Sequence, residues 1–176
     1  MNEYHYGVGR VRALEAKMLS PTQIGRMTAA SDFEGAFAVL SETPYALLLP
    51  RLKHPFDFEE LFELEMIELK NLLGRLAPGN EIIAALFKKY DYLNLKILFR
   101  GKLAEVEEFP VHSRAGTIDF GKLRTEIIER IRIIDDPEIR EAIGEAGKYN
   151  DPLLLDITLD KYYFAFLKRV CSTSPS

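Results

Sequence analysis

An all-α fold of about eight helices is predicted by three features of this 176-residue sequence. Apolar residues recur at steps of three and four along most of the chain. Strand-type alternation is nearly absent. Each periodic stretch is bounded by Pro, Gly or a Ser, Asp or Asn in a capping position. The composition, 47% hydrophobic and 28% charged, is that of an ordinary globular domain. At this length about 70% of the unfolded surface can be buried, so no metal or disulfide staple is needed. A net charge of -4 argues against a broadly basic nucleic-acid binder. Cys171 is the one cysteine, which excludes an intrachain disulfide and makes a reducing compartment the expectation. The longest apolar runs, such as 82–87, fall far short of the roughly 18 residues that span a bilayer. The start, MNEYHYG, carries no apolar signal region. One cytosolic domain, or the first piece of something larger, is expected.

Taken in order, Tyr4, Val8, Val11, Leu14/Glu15 and Met18 form the stripe of a first helix, with Gly7 on it and Gly9 beside it. A helix-interior glycine costs about 1 kcal/mol, so close approach of a second helix is expected there. Ser20-Pro21 ends this helix and opens the next. Ser31 and Glu34 have capping-box spacing before Phe33, Phe37, Val39 and Leu40, and Thr43-Pro44 stops that short helix. After His54-Pro55, residues 57–60 cap a longer helix reaching Leu76. Its expected apolar face is Phe58, Leu61, Phe62, Glu65/Met66, Leu69, Leu72, Leu73 and Leu76. Asp57, Glu59, Glu60, Glu63 and Glu68 are expected to face water or, alternatively, to dock a basic partner. Ala77-Pro78-Gly79 breaks it. The strongest stripe follows: Ile82, Ile83, Leu86, Phe87, Tyr90, Leu93, Ile97 and Leu98. Residues 107–116 read as a loop, and Phe120, Leu123, Ile127, Ile128, Ile131 and Ile134 as a further helix. Asp136-Pro137 and Asn150-Asp151-Pro152 open the last two, with a disordered tail at 171–176. A weak echo between 162–169 and 4–11 suggests a second repeat starting near residue 152.

No catalytic signature is present. Gly7-Val8-Gly9 lacks the third glycine and the preceding strand of a dinucleotide fingerprint, and no phosphate-binding loop motif occurs. His5, His54 and His112 are scattered without ligand spacing, so no catalytic, cofactor-binding or metal-binding residue is named. The segment that stands out is 91–100. Asn94 falls inside the apolar stripe and Asp91 at its edge, and a buried asparagine is costly unless its amide finds partners. The preferred reading is a hydrogen-bond network fixing helix register, with Asp91 paired to Arg10 or Arg12. A direct role for Asp91 or Asn94 as ligand or catalytic group is the rival.

At these residues the sequence resembles a known family. YGVGRVRALE (6–15), FEGAFAVL (33–40), TPY (43–45), KYDYLNLKILFR (89–100) and LDKYYF (159–164) are similar, in order, to segments of the C subunits of V-type and A-type rotary ATPases, relatives of the d subunits of eukaryotic V-ATPases. The run from Asp91 through Asn94 to Arg100 is the most specific. The resemblance implies an all-helical protein built from similar helical units. It implies a non-catalytic central-stalk component that links a membrane rotor ring to a central shaft, at the cytoplasmic face of the membrane. It also implies protein partners, no cofactor, no nucleic acid and no membrane insertion. Asp91, Asn94 and Arg100 would hold the fold, and Arg10 and Arg12 would serve contact or pairing. The chain is shorter than members of that family. Residues 1–150 are therefore expected to form one helical unit and 151–170 the first helix of another. That helix would lack packing partners, and self-association through 153–170 is expected. The alternative function is a free-standing helical protein-protein interaction module. A helical enzyme with an unrecognised site rests only on abundant carboxylates and tyrosines.

Overall fold

Most of the punctuation read from the sequence becomes a helix start in the computed structural model, which describes residues 3–106 and 108–173. Among the described residues there are helices and turns but no strand. The side chain of Tyr4, Glu107 in the expected loop and positions 174–176 of the expected tail lie outside what is described. The chain divides into two compact units, Met1–Pro78 and Gly79–Ser176.

The first unit holds α1 (Glu3–Glu15), α2 (Pro21–Thr28), α3 (Phe33–Ala38), three short 3-10 turns over 39–51, and α4 (Phe58–Leu76). Ser20 opens α2 with a complete capping box. Its hydroxyl accepts from Gln23 N at 3.2 Å, and Gln23 Oε1 accepts from Ser20 N at 2.8 Å. The box expected at Ser31 and Glu34 does not form. Asp32 caps α3 instead, accepting from Gly35 N at 2.7 Å, because a carboxylate one position later reaches the first turn directly. Asp57 caps α4 through Glu60 N at 2.9 Å. The core is small: Leu61 and Leu64 of α4 against Phe37, Leu40 and Leu48. The face expected for α4 is thus turned. Leu64 is buried, while Phe58, Phe62 and Leu69 remain exposed, since the short α3 and the 3-10 turns cover only a narrow arc of a 19-residue helix. Partial burial, then Glu68, raises the pKa of Glu65. The stripe of α1 is likewise mostly open, with Val8 57% and Val11 38% exposed. A Cβ at Gly7 would meet Leu76 Cβ at 3.8 Å, an ordinary contact, and one at Gly9 would meet nothing within 4 Å. The glycine pair therefore does not serve a tight helix crossing.

The second unit is organised around α5 (Glu81–Leu103), with α6 (Phe120–Arg124), α7 (Pro137–Ala146) and α8 (Pro152–Thr173). Asn80 caps α5 by accepting from Ile82 N and Ile83 N. The buried residues of α5 are Ala85, Phe87/Lys88, Asp91/Tyr92, Asn94/Leu95 and Leu98/Phe99, whereas Ile82 and Leu86 are exposed. The expected stripe shares Phe87 and Leu98 with this set and lies slightly out of phase with the rest because Lys88 and Asp91 are buried too, whereas Asn94 is buried inside the stripe as expected. The helix expected to run to Ile134 stops earlier. After a π turn at Thr125–Glu129, Arg130 takes a left-handed backbone (φ 59). The Glu126 carboxylate then accepts from Ile133 N and Ile134 N and folds the chain back.

The helix expected to lack partners has them. Leu155, Leu159, Tyr163 and Val170 of α8 are buried, and α8 packs along α5 and α7. Cys171, Ser172 and Thr173, expected in the tail, continue this helix. Four contacts set an antiparallel register between α5 and α8: Lys88 over the Phe166 ring, Tyr92 against Tyr163, Lys96 to Asp160, and Arg100 to Asp156. As the α5 number rises by about four, the α8 number falls by three or four, the spacing of one helical turn. The outward face of α8 keeps Leu153, Leu154, Ile157 and Phe164 exposed.

Candidate functional site

The two polar residues singled out on α5 meet the loop that precedes α6. Asn94, 1% exposed, accepts from His112 N at 2.9 Å and Ser113 N at 3.3 Å, and donates through Nδ2 to Ser113 O at 2.8 Å. One turn earlier, Asp91 is wholly buried. It accepts from Thr117 N at 2.9 Å, Ile118 N at 3.0 Å and the Thr117 hydroxyl. Ser113 Oγ then accepts from Ala115 N, which tightens the loop between the two anchors. Where the sequence suggested Arg10 or Arg12 as partner for Asp91, the structure supplies Thr117 and Ile118. Arg12 bonds Glu15 at 2.7 Å, and Arg10 lines an open cleft in the first unit with Tyr6, Arg75 and Leu76.

Gly116 permits this geometry. A Cβ there would lie 2.2 Å from Asp91 Oδ1 and 3.2 Å from its Cγ. Gly116→Ala is therefore expected to cost about 2–3 kcal/mol, since the short, buried aspartate has little room to yield. Urea unfolding checks this, and a cost under about 0.5 kcal/mol, the range of a surface change, contradicts it. Gly101, in the interior of α5, has a similar role: a Cβ would fall 2.4 Å from the Phe109 ring, which packs against the core.

A second constellation lies one turn before Asp91 on α5, and the sequence reading does not anticipate it. Lys88, 6% exposed, donates to Asp136 at 2.5 Å and Glu138 at 3.2 Å, and its ammonium sits 4.3 Å from the centroid of Phe166. Arg169 of α8 bonds Glu138 at 2.7 Å and also lies over Phe166. These residues, with Glu81 and Asp135, line an open cleft. Two bases face two acids around one ring, so the arrangement joins α5, α7 and α8 by matched charge. The signal that could have revealed it is position: Lys88 lies three residues before Asp91 and four before Tyr92, on the buried arc. The Tyr92 hydroxyl is buried without a hydrogen-bond partner, and burial, then Asp136 and Glu138, push its pKa far up, so it stays neutral.

Burial pushes the Asp136 carboxyl up, but hydrogen bonds from Lys88 and Ile139 N and the Lys88 charge outweigh this and hold it below its ordinary value. A depressed carboxylate adds stability that is fully present above its unfolded-chain pKa of about 3.9 and is lost as pH falls through the folded value. Between about pH 6 and pH 2.5 the wild type should therefore lose more stability than Asp136→Asn in urea titrations. Parallel losses contradict the assignment.

Arg100, the last motif residue, is 57% exposed at its side chain and pairs with Asp156, a surface bond of small expected worth. His5, His54 and His112 are all exposed. Among the described residues, no group of three or more His, Cys, Asp or Glu could hold a metal ion. No helix is long and apolar enough to cross a membrane among them.

Residues 7–176 match the family model described as ATP synthase (C/AC39) subunit. The chain belongs to this family. A curated relative, the C subunit of the A-type ATP synthase of Pyrococcus horikoshii, is 20% identical over 187 residues, covering 97% of this chain and 48% of that protein. The chain thus spans about half the length of the curated relative it matches. No solved structure matches it. The segments 89–100 and 159–164 face one another across the α5–α8 contact, through Tyr92 with Tyr163 and Lys96 with Asp160.

Proposed function

We propose that this chain acts as a non-catalytic coupling component, or the part of one, in the central stalk of a rotary V-type or A-type ATPase. In that role it links the membrane rotor ring to the central shaft, so that ion transport is coupled to ATP hydrolysis or synthesis. The observation that carries the reading is the family match over 7–176. The physical site agrees with it: the buried polar groups of α5 are engaged in holding a loop and neighbouring helices, which suits a body that transmits force through contact. On this reading the protein lies peripherally at the cytoplasmic face of the membrane. Residues 1–150 form one family helical unit, and α8 opens the next while packing on α5 and α7. Self-association through 153–170 belongs to the same proposal, confined to the outward face of α8, and light scattering at several concentrations checks it.

Affinity purification of the tagged chain from detergent-solubilised membranes tests the reading. Recovery of rotor-ring and shaft proteins is the expected result. A partner set drawn only from soluble proteins contradicts it and favours a free-standing helical interaction module.

A further inference from the structure

Four phenylalanines of the first unit make a half-exposed cluster that its small core does not absorb. Phe33, Phe56, Phe58 and Phe62 are 50%, 41%, 46% and 59% exposed. Their rings touch in sequence: Phe33 lies 6.5 Å from Phe56 and 6.1 Å from Phe58, and Phe58 lies 6.2 Å from Phe62, most of them edge-on. Phe37, buried beneath, anchors the group through Phe33 at 5.8 Å and Phe56 at 5.5 Å. The positions are held by backbone. Phe33 and Phe58 are the first residues of α3 and α4, each fixed by the aspartate cap before it. At about 200 Å² per ring, half exposure of four rings leaves on the order of 400 Å² of apolar surface, the size of a functional patch.

Acids predominate beside these rings in the sequence. Asp32 and Glu34 bracket Phe33, Asp57 and Glu59 bracket Phe58, and Glu63 follows Phe62. The nearby Lys53 lies 3.8 Å from Glu60. An apolar centre with an acidic rim repels an anionic lipid surface. It also repels a second copy of itself, and its area is about half of the roughly 800 Å² per partner that a stable dimer uses. It matches one amphipathic helix with apolar residues at i, i+3, i+4 and lysines or arginines along the flanks.

We propose that this aromatic patch docks a basic amphipathic helical segment of a protein partner. The surface belongs wholly to the first unit and stands independently of the rotary reading. The probe is a synthetic helical peptide of leucines on one face and lysines on the other, with a leucine–glutamate peptide as control, both measured by fluorescence anisotropy against the 176-residue chain. The leucine–lysine peptide should bind in preference to the control and weaken as salt rises. Phe58→Ser with Phe62→Ser, both at exposed positions, should weaken it at least about tenfold with the helical circular dichroism retained. Glu34→Lys with Glu59→Lys should shift preference toward the leucine–glutamate peptide. Failure of the leucine–lysine peptide to bind, or equal binding by the phenylalanine variant or the control peptide, overturns the proposal. So does a dimer that the phenylalanine variant dissolves, or binding to phosphatidylserine vesicles that the variant removes.

Discussion

Asp91→Ala should lower stability by about 3–5 kcal/mol, the largest effect expected of any polar substitution in the chain. The carboxylate has no solvent exposure, and two backbone amides and a hydroxyl donate to it. Alanine removes the acceptor and leaves these donors facing an apolar interior, each costing about 1–3 kcal/mol unless the loop opens to water. Opening is the cheaper course, so the total stays below the simple sum. Two measurements read it: urea unfolding for the loss, and amide hydrogen exchange at 117 and 118 for the opening. A loss under about 1 kcal/mol, or unchanged exchange at those amides, contradicts the account. Arg100→Ala supplies the contrast. It belongs to the same motif yet forms an exposed ion pair, and its expected cost is about 0–1 kcal/mol.

Asn94→Leu should cost about 2–4 kcal/mol. Leucine is close in volume and suits a helix, so neither a cavity nor helix propensity accounts for the loss. What disappears is a side chain that both accepts from His112 N and Ser113 N and donates to Ser113 O. A leucine in that place leaves three backbone groups unpaired. Because Asp91 and Asn94 hold two ends of one loop, their effects should not add. Once either anchor is gone the loop is already loosened, and the double variant should lose at least about 0.5–1 kcal/mol less than the sum. Strict additivity contradicts the idea that the two residues act on one segment.

The α-helical class and most helix starts are legible in the sequence because they depend on local chemistry. Ser20-Pro21, Asp57, Asp136-Pro137 and Asp151-Pro152 announce themselves whatever surrounds them. Burial is less legible, because it depends on neighbours. On α5 the apolar stripe falls slightly out of phase because Lys88 and Asp91 occupy core positions, which a count of apolar residues cannot recognise until their partners are known. Asn94 betrays itself by lying between apolar neighbours, yet its partners at 112 and 113 are 18 and 19 residues away and only the fold brings them to it. The π turn and the left-handed Arg130 that end the α6 segment depend on Glu126 reaching forward to 133 and 134, a tertiary bond with no local signature. Gly116 is hidden for the same reason: what requires glycine there is the Asp91 carboxylate of another element. The phenylalanine cluster leaves a trace in its density, at 33, 37, 56, 58 and 62, but which rings stay outside depends on the smallness of the core beneath them.

The central functional claim is that this chain works by contact within a rotary ATPase and performs no chemistry of its own. The most direct measurement is sedimentation of the purified chain with purified shaft proteins and detergent-held rotor ring, with ATP hydrolysis by the chain alone followed in parallel. Co-sedimentation in a defined stoichiometry, with no hydrolysis above buffer, is the predicted result. Migration of the chain as a separate species in the presence of both partners, or ATP turnover by the chain itself, would contradict it.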